Sequence, residues 1–248
     1  MANHLRAIWD ADPDAAPKER PSFSDDIVGR FRSGRQVLID GKQVPEALST
    51  WRVTTGDPSV AAGVAEILGG VSEEWETDKE DNLQVLTESP SVNIIIEPGT
   101  LDASFKQFVQ GVGLTHHCDG FEFLSPEEDK GTPCKCPTLI AERKLAAQKG
   151  RGPKPSVDVT FRLFDSPDVG KFRFNSGSWK LVEVLAPLFA ELDKYEGQQV
   201  RATLTIENVT YTPQKGPRAG QEVSYNKPVI KVLGAYEAAG TADLAKAA

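Results

Sequence analysis

VDVTFRLFDSPDVGKFRFNS, residues 157–176, alternates apolar and polar side chains on both sides of a turn-forming centre. Val157, Val159, Phe161 and Leu163 point one way on an extended chain, and Phe172 and Phe174 repeat the pattern after Gly170. A period of two marks half-buried strands, and the Asp165–Gly170 segment between them marks a hairpin. Outward from this hairpin the same signal recurs. GRQVLID and GKQV flank Asp40-Gly41, a dipeptide suited to tight hairpin turns, and TWRVTT follows as a further extended run. LQVLTES and SVNIIIEPG read as strands joined at Ser89-Pro90, and QQVRATLTIENVTYT and KPVIKVLGAYE as two more around a Gly/Pro loop at 213–220.

Helical signals are fewer. Asp57-Pro58 opens a segment with Val60, Ala61, Val64, Ile67 and Leu68 on one face, closed by Gly69-Gly70. LIAERKLAAQKG ends at Gly150, and SWKLVEVLAPLFAELDKYEG is the longest helical pattern, kinked or restarted at Pro187. Strands outnumber helices, and their alternation favours antiparallel pairing. The expected class is α+β: a mainly antiparallel β core, barrel-like in outline, with two or three helices. Residues 1–28 read as a loosely ordered arm whose Ile8 and Trp9 could dock on the body. Residues 29–237 read as the body, with an inserted loop module at about 111–150, and residues 238–248 as a frayed tail.

The 248 residues carry 28 basic and 36 acidic side chains, a net charge of -8. Phosphate neutralisation dominates duplex-DNA affinity, so a chain this acidic is a poor autonomous DNA binder. The first 25 residues contain no apolar signal segment, and no stretch has the roughly 20 apolar residues that span a bilayer. A cytosolic protein with reduced thiols and no membrane partner is expected.

The chemistry concentrates in THHCDGFEFLSPEEDKGTPCKCP, residues 115–137, which holds all three cysteines and two of the three histidines. Cys118 is followed after fifteen residues by Cys134 and Cys136, and His116 and His117 precede it. Thiolate and imidazole are the usual tetrahedral ligands of Zn²⁺. A turn-rich loop with few apolar residues needs something other than a core, and structural zinc contributes about 10–16 kcal/mol apparent in small peptides. The expected site is a closed, structural Zn²⁺ held by Cys118, Cys134 and Cys136, with His117 or His116 as the fourth ligand. The pattern of residues alone favours neither histidine.

Other features are weaker. Arg30, Arg32 and Arg35 around Phe31, and Lys215 with Arg218, fit solvated surface better than phosphate contact. Seven carboxylates between residues 71 and 90 against one lysine form a solvated face or a docking surface for a basic partner. No GxSxG, Walker A, GxGxxG or HExxH occurs, so no enzyme is expected.

CDG, a variable loop, G-x-P-C-x-C-P and an Ala/Lys helix ending in Gly resemble the phage recombination directionality factors of large serine integrases, of the actinophage (Streptomyces-phage) type. GRFRSGRQV, PEALSTWRVTTGD, the helix closing at Gly69-Gly70 and LFDSPDVGKFRFNSGSWKLVEVL extend the likeness over roughly residues 29–200. The resemblance implies a protein of the bacterial host cytoplasm that binds its integrase, at the coiled-coil region, and reaches att-site DNA only through it. It implies a switch of that enzyme from attP × attB integration to attL × attR excision. Many relatives carry a fourth cysteine where this chain reads GRGPKP, and that departure points to His117, beside the first cysteine, as the replacement, with His116 as the alternative. The integrase-facing surface is sought at Glu73, Glu74, Glu76 and Asp78 or around Trp179. The competing expectation is a single-strand nucleic-acid or replication accessory protein, a zinc-stabilised β-barrel with a groove drawn from Phe31, Arg32, Phe172 and Arg173.

Overall fold

The computed structural model describes residues 26–77, 79–215 and 218–237. Residues 1–25 of the expected arm, the whole of the expected tail and Asp78 lie outside the described residues. Eleven strands form one sheet: β1 (Ile27–Ile39), β2 (Lys42–Thr55), β3 (Ser72–Glu74), β4 (Leu83–Leu86), β5 (Ser91–Val109), β6 (Gly113–Cys118), β7 (Phe123–Ser125), β8 (Lys154–Leu163), β9 (Lys171–Ser176), β10 (Val200–Tyr211) and β11 (Val223–Ala235). Among the described residues four α-helices accompany them: α1 (Pro58–Leu68), α2 (Ile140–Gln148), α3 (Trp179–Val182) and α4 (Leu185–Leu192). None is long and apolar enough to cross a membrane.

The expected α+β class holds, but the sheet does not close into a barrel. Its order is β11-β10-β5-β8-β9-β1-β2-β4-β3, with β6 and β7 branching from β5. It curls until Asn226 on β11 donates to the Leu48 carbonyl on β2 at 3.0 Å, without a backbone ladder between them. All pairings are antiparallel except β1 with β9. The 157–176 segment forms the expected hairpin, with Val159 opposite Phe174 and Phe161 opposite Phe172. At Asp40-Gly41 both residues take positive φ (51° and 73°), as a tight two-residue hairpin turn requires. The run TWRVTT is not a separate strand: β2 continues through it, absorbing a register shift opposite Arg32 and Gly34.

One continuous core fills the concave side of the sheet. Phe31, Trp51, Phe161, Phe172 and Phe174 are buried there, mostly edge to face, and Trp51 Nε1 donates to the Pro90 carbonyl at 2.9 Å. Helix α1, capped by the Asp57 carboxylate accepting from Ser59 N, adds Val60, Ala61, Val64 and Leu68. The 179–196 segment divides at Glu183-Val184 rather than at Pro187. Proline falls in the first turn of α4, where its missing N–H has no intrahelical partner to lose.

Strand β5 positions everything that follows. One edge is paired with β8 along both halves, either side of a register shift between Ile96 and Leu101. The other edge is taken first by β10 (residues 91–96) and then by β6 (residues 105–109). The far half of β5 therefore leaves the core and carries a small module built from β6, β7, a long loop and α2.

Candidate metal centre

Successive side chains of a strand leave opposite faces. On β6 this puts His116 and Cys118 on one face and His117 on the other, where His117 Nδ1 lies 2.9 Å from Ser125 Oγ of β7. The chain then returns beneath the first face. Glu122 bridges to Pro133, and Cys134 N donates to the Phe121 carbonyl at 2.8 Å. Lys135, between the two later cysteines, takes φ 57°, a left-handed conformation that turns the backbone sharply enough for both thiols to converge.

The side-chain ligand atoms of His116, Cys118, Cys134 and Cys136 all lie within 4.8 Å of one another. Cys118 Sγ and Cys136 Sγ are 4.0 Å apart, and Cys136 Sγ is 3.4 Å from His116 Nε2. Zn–S bonds of about 2.3 Å and Zn–N bonds of about 2.0–2.1 Å give tetrahedral edges of about 3.8 and 3.6 Å. The cluster has both the donor set and the spacing to hold a metal ion such as zinc. Of the two histidines left open by the sequence, the one brought to the cysteines is His116. The preference for His117 gives way to the alternation of β6.

The surroundings of the cluster favour neutral side chains. Burial, with Cys136 and Cys134 adjacent, pushes the Cys118 thiol up to about 12, although the Gly120 N–H hydrogen-bonded to it acts in the opposite sense. Burial also raises Cys136, and burial together with the neighbouring His117 lowers His116, which favours the neutral imidazole that ligates metals. A divalent ion would displace the thiol protons and supply the missing charge.

The surrounding shell is specific. The Asp119 carboxylate accepts from Phe121 N at 2.7 Å and Glu122 N at 2.8 Å, closing the turn after Cys118. Arg143 of α2 is buried, donates to the Gly120 carbonyl and lies 5.1 Å from the Phe105 ring centroid. Its Nη1 has no hydrogen-bond partner, and its charge lowers the neighbouring Cys136 thiol against the larger effect of burial. The sequence gives no sign of this arginine, since the Ala/Lys helix carries several cations of the same appearance.

The other expected residues lie elsewhere. Glu73 and Glu74 are exposed on the edge strand β3, and Trp179 is half-buried with its ring 5.9 Å from that of Phe105. Phe31 and Phe172, the stacking platforms of the single-strand reading, are core residues, so they line no groove. Alternation sends Arg32 and Arg173 to the opposite face, where they pair with Asp81 at 3.2 Å and Asp158 at 2.7 Å.

No solved structure matches this chain. A family model described as Gp3-like, recombination directionality factor-like matches residues 28–232, which takes in the curled sheet, α1, the α3–α4 pair and the Cys/His module. The chain belongs to the Gp3-like, recombination directionality factor-like family.

Proposed function

We propose that this protein binds a phage serine integrase and switches it from attP × attB integration to attL × attR excision. The observation that carries the reading is the family match across residues 28–232. The net charge of -8 supports a protein partner, with att-site DNA reached through the integrase rather than gripped directly. On this reading the protein is a regulator of the actinophage type, acting in the host cytoplasm on the integrase coiled-coil region and catalysing nothing itself. The ion is Zn²⁺, held by Cys118, Cys134, Cys136 and His116 in a structural role. Three thiolates and an imidazole suit zinc better than the oxygen-seeking divalent ions.

The regulator works by differential affinity. Inverting a 1:99 preference takes about a 10⁴-fold tighter grip on one integrase arrangement than on the other. The test is a recombination assay with purified serine integrase on both substrate pairs, with and without the zinc-loaded protein. Appearance of attL × attR recombination with suppression of attP × attB is the expected result. Unchanged products would overturn the reading.

A further inference from the structure

Beyond Lys106, which sits opposite Lys154 of β8, the β5–β6 hairpin has no neighbouring strand among the described residues until His117 meets β7. This free tip carries Phe108, Val109, Val112 and Leu114, exposed by 69, 42, 72 and 45%. Phe108 and Leu114 face each other across the ladder, and Val112 N closes the turn onto the Val109 carbonyl at 3.1 Å. Residues 107–115 contain no charged side chain, in a protein where 26% of residues are charged. Exposed hairpin tips are ordinarily protected by charge. The β1–β2 tip follows that rule, with Asp40 and Lys42 beside its exposed Leu38 and Ile39. The β5–β6 tip does not.

The base of the finger has its own character. Gln107 Nε2 donates to the Gly150 carbonyl at 3.0 Å, tying the hairpin to the end of the module. From Arg143 to Lys154 the chain holds five cations and no carboxylate, although the whole carries -8. Lys149, Arg151 and Lys154 are all exposed. An uncharged apolar finger rising from a basic collar fits an apolar groove bordered by carboxylates. A nucleic acid would need cations at the tip, beside the wedge, and they lie only at the base.

We propose that the β5–β6 finger is the docking element, inserting Phe108 and Val112 into an acid-bordered apolar groove of the integrase while Lys149 and Arg151 engage its rim. The assignment of partner rests on the regulatory reading above. The metal cluster is then the anchor of this element: it holds His116 and Cys118 at the root of β6 and, through α2, sets the collar beside it.

The experiment uses the full-length zinc-loaded protein, the double variant F108S/V112S and the charge-reversed K149E/R151E. All are assayed for integrase binding, for att-site duplex binding without integrase, and by sedimentation. Both variants change only exposed positions, and unchanged zinc content and circular dichroism establish that they fold. Loss of about thirtyfold or more in integrase affinity for F108S/V112S, with a weaker and salt-dependent loss for K149E/R151E, is the expected result. Wild-type affinity in both variants would overturn the finger and leave the regulatory reading standing. Failure of the wild-type protein to bind or redirect integrase would overturn both. A dimer that dissociates in F108S/V112S would assign the tip to a second copy. Duplex binding lost in K149E/R151E would assign the collar to DNA. Either result would overturn the proposal.

Discussion

Along β6 one step of the chain separates a candidate metal ligand from a residue turned away from the cysteines. His116 Nε2 lies 3.4 Å from Cys136 Sγ, whereas His117 Nδ1 lies against Ser125 Oγ at 2.9 Å on the opposite face. Removing a residue that merely supports a ligand costs about 10–100-fold in metal affinity, so removing a ligand costs more. We expect His116→Ala to weaken zinc binding by more than about 100-fold, measured by competition with a chromophoric chelator. His117→Ala should retain one zinc per chain with affinity near that of the wild type. Equal losses in the two variants would mean that β6 does not keep its alternation.

At the scale of elements, strain and charge sit where one segment hands over to the next. After α1 the chain turns through Gly70 at φ +93°, and a Cβ there would fall 2.1 Å from the Leu86 carbonyl oxygen. Positive φ alone costs an L-residue about 1–2 kcal/mol, and the clash with backbone adds to it. Gly70→Ala should therefore destabilise the protein by about 2 kcal/mol or more, read as a lower urea midpoint. In β5, Glu97 at the register shift receives Arg162 Nε and Lys171 Nζ, each at 3.2 Å. Partial burial pushes its carboxyl up, but the hydrogen bonds and charges of Lys171 and Arg162 outweigh this and hold it below its ordinary 4.5. A depressed carboxylate contributes stability that is complete above the unfolded value and disappears as pH falls through the folded one. Glu97→Gln should thus flatten the loss of stability below pH 4.5, measured by urea midpoints at stepped pH. An unchanged acid limb would remove the ion pairs from that account.

At the scale of the whole molecule, the described residues form one apolar core and one outlying module without any. No residue between Gly113 and Gly150 belongs to the core cluster, and the buried apolar residues there are Cys118, Cys134 and Ala147. Two of these three are themselves candidate ligands, so a bound ion would substitute for a core that the module does not have. Chelation of the metal should raise amide hydrogen exchange across residues 113–153. The strands around Ile94, Val159, Phe172 and Leu204 should keep their protection, because their burial owes nothing to the ion. A single global transition on metal removal would show that module and sheet are one cooperative unit. The finger proposed for docking would lose its root in the same experiment.

Much of this was legible in the sequence because it is local. Period-two runs at 157–163 and 171–176, the Asp40-Gly41 turn, and the Asp57 cap with its closing glycines each depend on neighbours a few residues away. So does the crowding of cysteine and histidine into residues 115–137, which marked the metal cluster and, by its resemblance, the family. What the chain could not declare depends on side chains far apart in sequence. Phe31 and Phe172 look like a nucleotide-stacking pair until β1 lies beside β9 and turns both inward. Barrel closure was undetermined because strand alternation specifies which face is buried, not whether the two edges of a sheet meet. The choice of His116 needed the register of β6 on β5, and the role of Arg143 needed α2 to fold back over the loop. Periodicity and composition thus determined the elements and the donor set, and the resemblance of the motifs pointed to the family. The pairing of distant strands alone decided which face each side chain took, and with it which residues are core, which are candidate ligands and which remain exposed.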